Sequence, residues 1–284
     1  MAHDDLHDRG LEFDLATLVQ RRSMLGLIAG AGLVSLAACG PGGSGTASGT
    51  TPTGAAGTTP PATDGTTGGT TDAAAASCQQ IPEETAGPFP GDGSNGPDVL
   101  TQSGIVRSDI RPSFGGASGV AKGVPLTIRL TVLDTSKGCA GYAGAAVYVW
   151  QCDREGRYSM YNDGVSQENY LRGVQAADAS GVVTFTTVFP GAYSGRWPHV
   201  HFEVYPSLAR ATSASGKIAT SQLAFPEDAC RTAYATDGYQ ASIGNLARTP
   251  LRQDMVFRDG VSQQMATMSG SVASGYVAKL AIPV

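Results

Sequence analysis

The sequence predicts an all-β domain over residues 78–284, a two-sheet antiparallel β-sandwich preceded by a signal and a disordered linker. Three observations carry this. Seven or so short apolar or alternating segments lie between residues 124 and 282, punctuated by turns such as Asp178-Ala179-Ser180-Gly181 and Pro190-Gly191. Only 15% of residues are charged and 38 are Gly, poor material for long solvated helices and good material for strands joined by turns. No long helical period occurs between Cys78 and Val284. Many short strands and no long helix make a sandwich the simplest way to cover the apolar faces.

Residues 1–38 read as an export signal. Arg21-Arg22-Ser23-Met24-Leu25 opens an uncharged stretch from Ser23 to Ala38, which at 16 residues is a signal h-region and too short for a membrane span. The paired arginines resemble a twin-arginine signal. Leu36-Ala37-Ala38-Cys39 resembles a lipobox, in which Cys39 is lipidated and becomes the new N-terminus. The expected location is outside the cytoplasm, as a membrane lipoprotein held at Cys39 only, or as a secreted protein. Residues 39–77 read as a tether. From Gly40 to Ser77 there are 11 Thr and 10 Gly and no aromatic or large aliphatic residue, so the segment has nothing to bury. As a Gly-rich coil it would span on the order of 34 Å.

The strand candidates follow in order. Pro125 to Leu133 alternates apolar and polar residues, and Ala145 to Cys152 is a nearly continuous apolar run. Val182 to Val188 alternates again. His199 to Tyr205, Ile218 to Phe225, Met255 to Arg258 and Val272 to Ile282 complete the set, with one short helix over Asp228 to Thr236. Trp150 and Tyr148 read as core, Arg172 as a surface salt-bridge residue, and Glu83 and Glu84 as a solvated edge.

From residue 78 onward 16 basic residues face 17 acidic ones. That balance leaves no basic surface for nucleic acid. Four cysteines remain after Cys39: Cys78, Cys139, Cys152 and Cys230. In an exported domain an even count suggests two disulfides. If Cys152 and Cys230 lie near the same end of the sandwich they form one bridge, which leaves Cys78 to Cys139.

The chemistry concentrates on His199 and His201. Residues i and i+2 of a strand share a face, so the two imidazoles form a ready-made bidentate metal site while Val200, Phe202 and Val204 face the core. Tyr158 follows Gly156-Arg157, and Tyr193 follows Pro190-Gly191-Ala192, both after glycine-bearing turns at strand ends. A phenol, with a pKa of about 10, needs a strongly Lewis-acidic ion to become a ligand at neutral pH. Two phenols with two imidazoles suit ferric iron better than zinc, and no carboxylate set for magnesium or calcium is evident. Tyr161 competes with Tyr158 for the same role.

These residues and their surroundings resemble the intradiol ring-cleavage dioxygenases, non-haem ferric enzymes of the protocatechuate 3,4-dioxygenase and catechol 1,2-dioxygenase kind. The resemblance runs from Ile81 to Val284. It rests on Glu84-Thr85-Ala86-Gly87-Pro88-Phe89, Gly144 to Asp153, Gly156-Arg157-Tyr158 and Arg172-Gly173. It continues through Pro190-Gly191-Ala192-Tyr193, Arg196-Trp197-Pro198-His199-Val200-His201-Phe202 and Thr220-Ser221-Gln222-Leu223. It implies an immunoglobulin- or prealbumin-like sandwich and an Fe(3+) site held by Tyr158, Tyr193, His199 and His201. Tyr158 and His199 would be equatorial, and Tyr193 and His201 axial. The implied reaction is cleavage of a small aromatic ortho-diol by O2, between the two hydroxylated carbons, to a muconate-type diacid. In it Tyr193 leaves with a substrate proton, Arg196 stabilises developing charge and Gln222 orients the intermediate. No organic cofactor is implied.

Two features depart from the soluble members. Only five residues separate Tyr193 from His199, so a pocket loop is trimmed, and no helical segment precedes the sandwich. Two other readings compete: an exported sandwich that binds a catecholate or carbohydrate without turnover, and a zinc or copper hydrolase built on His199 and His201. Oxygen uptake separates the first, and metal content and colour the second.

Overall fold

The computed structural model describes residues 78–284, and the segments expected to be an export signal and a tether lie outside them. Among the described residues nine strands form two sheets: β1 (Pro125–Asp134), β2 (Ala140–Gly141), β3 (Ala146–Trp150), β4 (Arg172–Ala176), β5 (Val182–Val188), β6 (His199–Tyr205), β7 (Ala219–Ala224), β8 (Thr267–Ser271) and β9 (Gly275–Pro283). The first sheet runs β2-β1-β9-β8, with β5 also on β1, and the second runs β4-β3-β6-β7. The inner faces meet in one core. β1 contributes Leu126, Ile128, Leu130 and Val132, β6 contributes Val200, Phe202 and Val204, and β9 contributes Ala278, Leu280 and Ile282. This is the expected sandwich, with one difference: β1 and β9 pair in parallel, Leu126 opposite Tyr276.

Five segment-level expectations change. Val272 to Ile282 is the second arm of a hairpin, because Ser271 to Gly275 turns and β8 pairs antiparallel with β9. Met255 to Arg258 is no strand. Asp254 accepts hydrogen bonds from the backbone N–H groups of Val256 and Phe257 at 2.8 and 3.1 Å, and the chain coils into a 3₁₀ turn over Phe257–Asp259. β4 was not foreseen, since Arg172-Gly173-Val174-Gln175-Ala176 has neither alternation nor an apolar run. The short helix forms as α1 (Glu227–Tyr234), and a second, α2 (Gln240–Arg248), follows it. Finally, Cys78 and Cys139 are bridged, but Cys152 and Cys230 are free and buried. Cys152 packs with Trp150 and Tyr158 outside the second sheet, while Cys230, on α1, packs in the main core. Their thiols point at different carbonyls, Gly191 and Phe225.

Candidate metal centre

The outer face of the second sheet positions the site. In register across it, Arg172 of β4 stands opposite Trp150 of β3, Trp150 opposite His201 of β6, and His201 opposite Gln222 of β7. One rung of the sheet thus gathers residues from four separate sequence motifs. The Trp150 indole stacks on the His201 ring, centroids 4.9 Å apart and planes within 4°. His199 lies on the same face, its Nε2 3.0 Å from Nε2 of His201.

The two tyrosines arrive on loops. Tyr158 follows β3 and Tyr193 follows β5. Their loops approach backbone to backbone through two glycines. A Cβ on Gly191 would lie 2.6 Å from the Arg154 carbonyl oxygen, and one on Gly156, at φ +86, would lie 3.1 Å from the Tyr193 Cβ. Any side chain at either position would push the loops apart. The phenol oxygens of Tyr158 and Tyr193 come to 3.4 and 3.3 Å from His199 Nε2. Tyr158, His199 and His201 are buried, and Tyr193 is half-buried. Tyr161 goes elsewhere: its hydroxyl accepts from the Gly91 N–H at 2.8 Å and donates to Asn95.

Four donor atoms therefore converge on one point. Ligand bonds of about 2.0–2.2 Å place neighbouring donors about 3 Å apart, and the separations here are 3.0–3.4 Å. The protonation pattern fits as well. His199 Nδ1 lies 2.5 Å from the Trp197 carbonyl oxygen, so it carries the proton and Nε2 presents its lone pair to the cluster. His201 Nδ1 is turned toward the Thr85 backbone without reaching hydrogen-bond geometry. Burial, then the Arg196 guanidinium, pushes the His199 pKa down to about 3, and burial holds His201 well below its ordinary value, so both rings are neutral. Burial and the neighbouring Tyr193 raise Tyr158 well above the usual phenol range. Two lone pairs and two phenols facing one another fit a strongly Lewis-acidic cation. Among the described residues no group of three or more His, Cys, Asp or Glu offers another metal site.

Around the cluster lies a buried polar layer. Arg196 bonds Asp254 Oδ2 through Nε at 3.0 Å and Gln222 Oε1 through Nη2 at 2.6 Å, and Gln222 Nε2 donates to the Thr85 carbonyl at 2.9 Å. Asp254 also accepts from the Trp197 N–H at 2.6 Å. Burial opposes ionisation of Asp254, but Arg196 and the Trp197 N–H outweigh it and hold the carboxyl below its ordinary value. Sequence reasoning missed Asp254, which sits in no motif. It also misplaced Arg172, which is 1% exposed and has no carboxylate partner among the described residues. Instead it donates to the carbonyls of Phe89, Pro90 and Ser159 at 2.8–2.9 Å, tying the N-terminal segment to the residue after Tyr158. Glu84 is likewise buried rather than solvated.

The family profile described as Dioxygenase matches residues 96–236, from ahead of β1 through α1. A solved intradiol ring-cleavage dioxygenase from Tetranychus urticae is 25% identical, with a TM-score of 0.52 over 63% of this chain and 88% of that one. The chain belongs to the intradiol ring-cleavage dioxygenases. A second solved dioxygenase, also 25% identical, superposes on this one with a TM-score of 0.57 over 73% of this chain and 96% of the other. No curated protein matches this dioxygenase significantly. The profile ends before Asp254, so the carboxylate that holds Arg196 lies beyond the matched stretch.

Proposed function

We propose that the protein is a non-haem Fe(3+) dioxygenase that cleaves a catechol-type ortho-diol with O2 between the two hydroxylated carbons, yielding a muconate-type diacid. The observation that supports this reading is the convergence of Tyr158, Tyr193, His199 and His201 at 3.0–3.4 Å on one buried point. Family membership supports catechol-type ring cleavage in general.

When bound, ferric iron would supply the Lewis acidity that ionises phenol ligands and diol and would open the ring to O2. The chain's own residues do the rest. His199 and His201 present neutral Nε2 atoms on a rigid strand. Tyr193 is the most exposed of the four, and its Oη is the atom positioned to take a proton from an incoming diol. Arg196, locked by Asp254 and Gln222 in a dry site, provides a fixed positive charge for oxyanions formed during cleavage. Gln222 orients through its bond to Arg196, while Phe89, packed 5.0 Å from the Tyr158 ring, and Trp150 exclude water.

An oxygen-electrode panel of catechol, protocatechuate and hydroxyquinol, run with metal analysis and visible spectra, tests this reading. His199→Ala or His201→Ala should lose iron, colour and activity together. Arg196→Ala should keep iron and colour and lose turnover. Parental turnover in Arg196→Ala, or a colourless zinc or copper protein without oxygen uptake, would overturn it. Export belongs to the same proposal. Changing Arg21 and Arg22 to Lys should block translocation, and Cys39→Ala should release the protein from the membrane fraction.

A further inference from the structure

Apart from the metal cluster, the described residues form an open groove of about 560 Å³ bounded by Trp197, α1, the end of α2 and the 3₁₀ turn at Phe257. Its apolar lining includes Trp197, Leu251 and Phe257, and the lining also holds Arg231, Arg252 and Arg258. One carboxylate lines it, Glu227, and that is already paired with Arg231 at 2.5 Å. Arg252 and Arg258 are exposed and form no ion pair among the described residues. The domain as a whole is nearly charge-balanced, with 16 basic and 17 acidic residues. The groove's excess of two positive charges is therefore local.

We infer that this groove binds an aromatic carboxylate, its ring on the apolar lining and its carboxylate on Arg252 and Arg258. A guanidinium fork matches a carboxylate bidentately. An aromatic ring gains from Trp197, Leu251 and Phe257 what a bare inorganic anion cannot use. The groove lies outside the four-residue cluster but is wired to it. Trp197 and Phe257 both donate backbone N–H bonds to Asp254, which holds Arg196, and the Phe257 ring lies 6.4 Å from that of His199. A ligand seated there bears on the carboxylate that fixes Arg196. The inference goes beyond the ring-cleavage reading and stands whichever metal the cluster holds.

Calorimetric titration of the full-length protein with 2-naphthoate tests it, with neutral 2-naphthalenemethanol as the control. The expected result is saturable one-to-one binding of the naphthoate, weakened by added salt and weaker for the alcohol. Arg252→Ala combined with Arg258→Ala should lower the affinity about ten-fold or more, since charged hydrogen bonds are lost. His201→Ala should bind naphthoate as the parent does. Both arginines are exposed, so the double variant should fold, and circular dichroism checks this. The lysine pair, Arg252→Lys with Arg258→Lys, should retain part of the affinity. Unchanged affinity in the alanine pair, absence of binding to the parent, or loss of binding in His201→Ala alone would each overturn the groove as the site.

Discussion

The two sheets are buried in different ways. Along β1 of the first sheet, Leu126, Ile128, Leu130 and Val132 are buried while Pro125 and Arg129 are exposed, the alternation of a strand with one wet face. Along β6 of the second sheet all seven residues are buried, although four of them are His, Glu or Tyr. The cause is coverage. The segment around Phe89 to Leu100 and the loop from Tyr158 to Tyr161 pack on the outer face of the second sheet and enclose Trp150, Tyr148 and Tyr205. Polar side chains there must find partners within the protein. Arg172, Gln222 and Arg196 find them in backbone and side-chain groups. The difference teaches that period-2 alternation reports which residues share a face, and does not report whether that face is wet.

Breaking the shared core should give the largest effect. Phe202→Ala, in the inner face of β6, should cost about 3–5 kcal/mol in chemical denaturation. The visible spectrum of the folded iron-loaded protein should remain, because the residue points away from the cluster. Next comes the dry outer face. Arg172→Met should cost about 3 kcal/mol, because it strands buried carbonyls. Unlike Phe202→Ala, it should also shift the tyrosinate absorption, since Ser159 adjoins Tyr158. A spectrum unchanged by Arg172→Met would show that the layer is packing alone.

A smaller effect concerns pH. Burial, then the nearby Asp259, raises the Glu84 pKa to about 7 from an ordinary value of 4.5. Between those values the folded state holds a proton that the unfolded chain has released. Stability should therefore fall as pH rises from about 4.5 to about 7, and level off above. Denaturation midpoints measured across that window should decline by at most the equivalent of about 3 kcal/mol, and Glu84→Gln should remove most of the decline. The smallest effect belongs to the wet face of the first sheet. Arg129→Ala should alter stability by no more than about 0.5 kcal/mol, and a larger loss would mean that this face too is covered.

Much of the candidate site was legible before any fold was known. His199 and His201 announce a shared strand face by spacing alone, and the glycine turns before Tyr158 and Tyr193 mark loops at strand ends. The strands over Val182–Val188 and His199–Tyr205 were readable to the residue, the second because its alternation is unbroken and the first because the turns at Asp178-Ala179-Ser180-Gly181 and Pro190-Gly191 bound it. Arg172 was misread for a physical reason. A charged residue in a short irregular stretch defaults to the surface, and nothing local shows that Phe89, some eighty residues earlier, will lie over it. The same holds for Asp254, whose partners Arg196 and Trp197 are nearly sixty residues away. Cys152 and Cys230 were paired by a shared end of the fold, but they pack in different clusters and their thiols face different carbonyls.

By itself the sequence determined the fold class, the strand that carries the imidazoles, the tyrosine loops and the family, because each is written in local periodicity or in compact motifs. Only the tertiary structure decided three further matters: that the outer face of the second sheet is dry, that Asp254 anchors Arg196, and that an arginine-lined groove opens beside Trp197. These depend on contacts between segments tens to more than a hundred residues apart, and burial is set by what packs across a face rather than by the residues on it.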